Sequence, residues 1–270
     1  VGNGMAYERV AQAFGGECAA TVTVAVLYFG ILNAGEPPTC GPGSPPTVVA
    51  GRHAMAIASL LSSAGLRCDC LDTFDELTQA AALKLIWSSA MWLLCATRKC
   101  TVSEVHALHH EELRELTREL LLECDHSSGD ASDEALDAVM SHMCSYSDSM
   151  PHVVPSASLA RAEIGERNGW FLRRAAAAQR AQPLHEAFLR AVDVDPKLAA
   201  SAGVVSPSAS SPTVWRHHPM SGLGFEVRRS TGRVEASTAP PSPSTPRSAL
   251  VIGGGIMGSA LALELSLVGL

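Results

Sequence analysis

The chain has 270 residues, 47% of them hydrophobic and 17% charged, which is the composition of a globular protein rather than a disordered one. Its net charge of -7 leaves no basic footprint, so the usual electrostatic basis for binding nucleic acid is excluded. No secretory signal opens it, and it starts at Val1 rather than at methionine, on what reads as a strand end, so a fragment of a longer protein is expected.

Residues 1–52 mix a turn, a short helix and strand-like runs. Gly2-Asn3-Gly4-Met5 is a tight turn, and a helix is expected over Ala6 to Phe14. β-branched residues dominate Thr21 to Tyr28, which predicts a strand bounded by Pro37-Pro38 and Gly41-Pro42-Gly43. From His53 to about Ala200 the pattern reads as successive helices. Thr73-Phe74-Asp75-Glu76 is a capping box, and the helix it opens is expected to run to about Ala96. The next predicted helix runs from Val102 to about Cys124, opening at Ser103, with Leu113, Leu116, Leu120 and Leu121 on one side. A polar loop over Asp125 to Asp133 precedes a helix from Glu134 to about Tyr146, and a further one covers Leu159 to about Arg180.

The eight cysteines are scattered through apparent core segments without metal spacing, so reduced, buried thiols and a cytoplasmic home are expected. His106, His109 and His110 sit beside Glu111 and Glu112 at a charged helix start. A solvated face is the expected reading there, against a metal cluster.

Lys84 is the only charged residue between Glu76 and Arg98, set among Ala80, Ala81, Ala82, Leu83, Leu85, Ile86 and Trp87. A helix apolar nearly all round is usually buried, and lysines are seldom buried without a partner. Burial lowers a lysine pKa, which suits proton donation to a carbonyl oxygen gaining charge. A side chain that snorkels to solvent is the competing reading. Ser88 and Trp92 follow on the same face, where a hydroxyl helps to line a polar pocket and the indole reads as core. In Ala162 to Arg174, Glu166 and Arg167 read as helix-surface charges, and Glu163 is locally ambiguous.

Residues 201–247 are rich in Ser, Pro, Thr and Arg and read as a disordered linker. Residues 248–270 open a new unit: Gly253, Gly255 and Gly258 form a GxGxxG turn between a strand and a helix start, the beginning of a dinucleotide-binding domain that binds NADP, NAD or FAD. A membrane helix is the lesser alternative for this apolar stretch.

Several of these residues, in order and spacing, resemble the ketopantoate reductase (2-dehydropantoate 2-reductase) family: Asn3-Gly4-Met5, Ala13-Phe14-Gly15, Gly41-Pro42-Gly43, Ala64-Gly65-Leu66 with Asp75 and Lys84-Leu85, and Ala162-Glu163-Ile164-Gly165-Glu166-Arg167-Asn168-Gly169. The resemblance spans roughly residues 1 to 195. It implies a mainly α fold, in which the end of a Rossmann domain and a strand region (1–52) lead into a helical substrate and dimerisation domain (53–200). That domain would be of the type found at the C-terminus of 6-phosphogluconate dehydrogenase. By the same resemblance Lys84 is the proton donor to a 2-keto acid reduced with NADPH, and Glu163 is the active-site carboxylate that binds substrate. Asn3 aligns lysine and nicotinamide, while Ser88 and Ser149 contact the substrate. A pantothenate-biosynthetic oxidoreductase is implied, with a homodimer as the oligomeric expectation and no membrane or nucleic-acid partner. The sequence departs from the family at Ser88 and Trp92, where asparagines are usual, and at Ser149-Met150, which lies two residues too far upstream. These departures leave room for a related 2-keto acid, for a non-catalytic dimerisation or regulatory domain, or for fusion to a flavin-dependent oxidoreductase.

Overall fold

A computed structural model describes residues 23–29, 40–124 and 132–202, all within one compact unit. The Ala6 to Phe14 helix, the linker and the glycine motif predicted from sequence lie outside the described residues.

Three short strands form one sheet in the order β1 (Thr23–Val26), β2 (Thr47–Gly51), β3 (Cys68–Cys70). β1 pairs antiparallel with β2 through Thr23–Gly51 to Val26–Val48, and β2 pairs parallel with β3 through Thr47–Cys68 to Val49–Cys70. A parallel pair needs a crossover, and α1 (Ala54–Ser63) supplies it. Alternation along the strands sorts side chains onto two faces. Val49 joins Ala54 and Ala58 of α1, with Ala25 beside them. Val26 and Ala50, flanked by Val24 and Val48, join the larger core on the other face.

That core is organised by α2 (Phe74–Arg98), which packs on β1 and β2. The expected capping box starts it: Glu76 N–H donates to Thr73 Oγ1 at 3.2 Å, and Thr73 N–H donates to Glu76 Oε2 at 3.1 Å. The helix ends at Lys99, whose φ of 54° is left-handed. At 25 residues α2 is long and apolar enough to cross a membrane by length and composition, but neighbouring elements bury most of it. Around it pack α3 (Val102–Leu108), α4 (His110–Leu121), α5 (Asp133–Asp148), α6 (Ala157–Ala162) and α8 (Pro183–Ala191). A 3-10 turn (Ile164–Glu166) and α7 (Asn168–Ala177) lie between α6 and α8, and α9 (Pro196–Ser201) packs on α7. The described residues are therefore mostly helical, with a small strand region at the N-terminal side.

The structure corrects the sequence reading in four places. β3 interrupts the expected run of helices after residue 53 and extends the strand region to Cys70. The single helix expected from Val102 is two, broken at His109, and its cap is Thr101 rather than Ser103. Val102, Val105, Leu113, Leu116 and Leu120 are all buried and keep helical spacing across the break, so periodicity alone reads one helix. The helix expected over Leu159 to Arg180 is split into α6, the 3-10 turn and α7 by Gly165 and Asn168-Gly169. Finally, of the seven described cysteines only Cys95 is buried, and Cys40 and Cys70 are exposed.

Gly169, just after the split, sets how closely the last helices pack. A Cβ there would stand 2.1 Å from the Ala199 carbonyl oxygen, so only glycine lets α7 and α9 approach this closely. Asn168 is fully buried, its carboxamide oxygen 2.8 Å from His185 Nε2, while His185 Nδ1 lies 2.8 Å from Gln182 Oε1. Burial pushes the His185 pKa down to about 3, so the ring is neutral in the folded protein. Glu119 of α4 accepts the Leu184 and His185 N–H groups at 3.0 and 2.9 Å, capping α8 from outside.

Candidate active site

Midway along α2, Lys84 points its ammonium at the chain that leaves β1. Nζ donates to the Leu27 carbonyl and lies 5.7 Å from the centre of the Tyr28 ring. Tyr28 is fixed on both sides: its N–H donates to Thr47 Oγ1 of β2 at 3.2 Å, and its hydroxyl donates to the Ala80 carbonyl of α2 at 3.4 Å. Tyr146 and His142 of α5 pack edge-on to it, with ring centres 5.1 and 6.2 Å away, and Trp87 stacks obliquely on Tyr146 at 4.4 Å. Trp87 Nε1 donates to Ser147 Oγ at 2.9 Å. Tyr28, backed by Tyr146 and Trp87, thus covers one side of the ammonium.

The break between α6 and α7 brings two further charges to the same place. Glu163 ends α6, and Arg167 Nη1 stands 3.7 Å from its Oε2. Arg167 Nη2 donates at 3.1 Å to the Ser88 carbonyl, one turn along α2 from Lys84. Arg167 is only 7% exposed, which overturns its reading as a helix-surface charge. Burial, then the Arg167 cation, bring the Lys84 pKa down to about 8, while Glu163 opposes them. Burial also lowers the Arg167 pKa, again against Glu163. An ammonium with pKa about 8 is protonated at neutrality yet releases its proton far more readily than a solvated lysine. The arrangement is suited to donating a proton beside an anionic ligand.

The other residues singled out in the sequence are placed differently. Ser88 is buried, and its hydroxyl donates to Leu85 O of its own helix at 3.1 Å. Trp92 is core, as expected. Ser149 is a joint between α5 and the Gly41 turn: it donates to Tyr146 O at 2.6 Å and accepts from Ser44 Oγ at 2.8 Å. A Cβ on Gly41 would meet the Ser149 carbonyl oxygen at 1.6 Å. Asn3, Gly253, Gly255 and Gly258 lie outside the described residues. His106 turns inward, its Nδ1 3.0 Å from Cys144 Sγ, whereas His109 pairs with Glu112 and His110 is exposed. Among the described residues no group of three or more His, Cys, Asp or Glu side chains is arranged to hold a metal. Tyr28 also helps line a pocket of about 10 Å³ with Thr47, Leu66 and Arg67, room for a water molecule rather than for a substrate.

Sequence reasoning missed Arg167 and Tyr28. Gly165 and Asn168-Gly169 around Arg167 were the available signal, since they mark a turn rather than an exposed helix face.

No family model and no curated protein matches the sequence. Among solved structures, a 2-dehydropantoate 2-reductase from Geobacter metallireducens GS-15 superposes with a TM-score of 0.50 at 20% identity, over 71% of this chain and 65% of that one. The chain shares the ketopantoate reductase fold. D-mandelate dehydrogenase has it too: its ternary structure with NADH and anilino(oxo)acetate gives a TM-score of 0.52 at 14% identity, over 73% of this chain and 67% of that one. Its complex with NADH gives 0.51 at 15% identity, over 71% and 67%. Against the Geobacter ketopantoate reductase, the present chain spans 65% of the partner's length.

Proposed function

We propose that the chain is the substrate-binding part of a nicotinamide-dependent 2-keto acid reductase, with Lys84 as the proton donor and Glu163 as its acidic partner. The observation that carries this reading is the half-buried Lys84 ammonium in an otherwise apolar helix, hydrogen-bonded to the Leu27 carbonyl and coupled electrostatically to Glu163 from a distant part of the chain. The fold supports it, since D-mandelate dehydrogenase has that fold and was solved with NADH and anilino(oxo)acetate.

The described residues fit the substrate side of such a reaction. Lys84 gives its proton to the 2-keto oxygen, and Glu163 and Arg167 then face a lysine that has lost charge. A bound nicotinamide supplies the hydride that reaches the carbonyl carbon. Asn3, Gly253, Gly255 and Gly258 are the residues proposed to face the dinucleotide, with NADPH the expected donor and FAD the alternative for the glycine motif. Tyr28, held by Tyr146, covers one side of the ammonium, so the charge developing on the oxygen meets fixed groups there.

A second reading, a helical domain that keeps the shape without the chemistry, is favoured by one observation. The hydroxyls of Ser88 and Ser149 are both spent on internal bonds, and Trp92 is core. The test is NADPH and NADH oxidation by the full open reading frame with ketopantoate and simpler 2-keto acids. Lys84→Ala is expected to abolish turnover while the thermal melt stays cooperative. Turnover at the unmutated rate in that variant refutes the assignment, and no turnover in the unmutated protein with any 2-keto acid favours the second reading.

A further inference from the structure

Three charges meet at the candidate site where a proton-donating pair needs two. Arg167 reaches it because the chain breaks at Gly165 and resumes at Asn168, which turns the side chain under α2 rather than out to water. Its contacts are specific: the Ser88 carbonyl at 3.1 Å and the Glu163 carboxylate at 3.7 Å, with Nε buried and without a hydrogen-bond partner. A buried guanidinium with an unmet N–H is costly, so its presence here calls for an explanation beyond packing.

We propose that Arg167 is a positioning residue for the Lys84–Glu163 pair: it shares the Glu163 carboxylate and sets the electrostatic balance on the Lys84 ammonium. With Arg167 present the carboxylate is divided between two cations, so it neutralises Lys84 only in part. Coulomb repulsion between the cations adds to burial in favouring release of the proton. Without it, Glu163 would hold Lys84 as an ordinary ion pair, charged and reluctant to donate. The inference rests on the reading that Lys84 and Glu163 are the working pair.

The other titratable groups around the ammonium stay silent across the relevant range. Tyr28, which faces Nζ from the end of β1, is raised by burial beyond its usual value, and Tyr146 of α5 is pushed up to about 12. His142, behind Tyr28, is lowered by burial and so is neutral above its usual range.

The experiment reads Lys84 directly, with no substrate. The chain holds three lysines, Lys84, Lys99 and Lys197, so lysine-selective ¹³C labelling gives few signals, with exposed Lys99 and Lys197 as references. A ¹³C NMR titration of the full 270-residue chain is expected to give Lys84 a midpoint near 8. Arg167→Gln is expected to raise it by about one pH unit, a tenfold loss of acidity, and Arg167→Lys to leave it near the native value. If Arg167→Gln does not fold, the comparison of Glu163→Gln with the Glu163→Gln/Arg167→Gln double variant gives the same contrast, because the double variant buries no unpaired charge at these positions. A higher midpoint in the double variant supports the proposal. An unchanged midpoint on loss of Arg167 in either background, an Arg167→Lys variant that behaves like Arg167→Gln, or a native midpoint at the ordinary lysine value overturns it. Turnover of Lys84→Ala tests the underlying reading separately, so the two fail by different measurements.

Discussion

Two titratable side chains of the same helical unit, half-buried Lys84 and fully buried His185, are treated in opposite ways. His185 is fully buried, flanked by the side-chain amides of Gln182 and Asn168, and depressed so far that it carries no charge. Lys84 is brought only to about 8, among a carboxylate, a guanidinium, a backbone carbonyl and an aromatic ring. The first arrangement removes a charge and leaves a rigid polar joint between α7 and α8. The second keeps a charge where burying it is costly, and keeps it near the pH at which it can be given up. By that contrast Lys84, which can titrate near neutral pH, is the candidate for proton transfer, and His185 is not.

The largest effect expected from this contrast lies in acid. Above pH 6.5 His185 is neutral in both folded and unfolded chains; below it the unfolded chain takes up a proton that the folded one refuses. Stability is therefore lost as the pH falls from 6.5 toward 3, by up to about 5 kcal/mol from this group. Urea unfolding at pH 7 and pH 4 measures it, and His185→Gln should flatten the difference. An equally steep acid loss in that variant would remove His185 from the account.

Next comes the joint beside it. Gly169→Ala places a methyl 2.1 Å from the Ala199 carbonyl, so a loss of about 3 kcal/mol is expected, read as a lower melting temperature. Lys84→Met should act in the other direction. Relieving the burial of the ammonium is worth about 3 kcal/mol, and losing the Leu27 hydrogen bond offsets about 1 of it, for a net gain of about 2 kcal/mol at pH 7. Folded Lys84 binds its proton less tightly than the unfolded chain does. The gain is therefore full below pH 8 and fades between pH 8 and 10.5, which denaturation at pH 7 and pH 10 distinguishes. The smallest effect is at the helix start, where Thr73→Ala removes the capping box and should cost about 1 kcal/mol by the same assay.

The parts of the fold legible in the sequence were those coded locally. The capping box at Thr73, the β-branched run that becomes β1 and the apolar length of α2 each follow from neighbouring residues, and each is where it was expected. Lys84 stood out for a related reason, as one charge in an oily helix. β3 escaped because Cys68-Asp69-Cys70 has too little hydrophobic pattern to announce a strand; it exists because Thr47 to Val49 offer it partners. The break at His109 escaped because the buried stripe keeps phase through it.

By itself, then, the sequence determined the helical class, the start of the central helix and the candidate lysine, because capping and periodicity act over a few residues. Only the tertiary structure decided what surrounds that lysine. Leu27 lies 57 positions before Lys84. Arg167 grips Ser88 from 79 positions away, and Glu163 stands beside it. Charges couple through space in a low-dielectric interior, and chain order does not record which of them the fold will bring together.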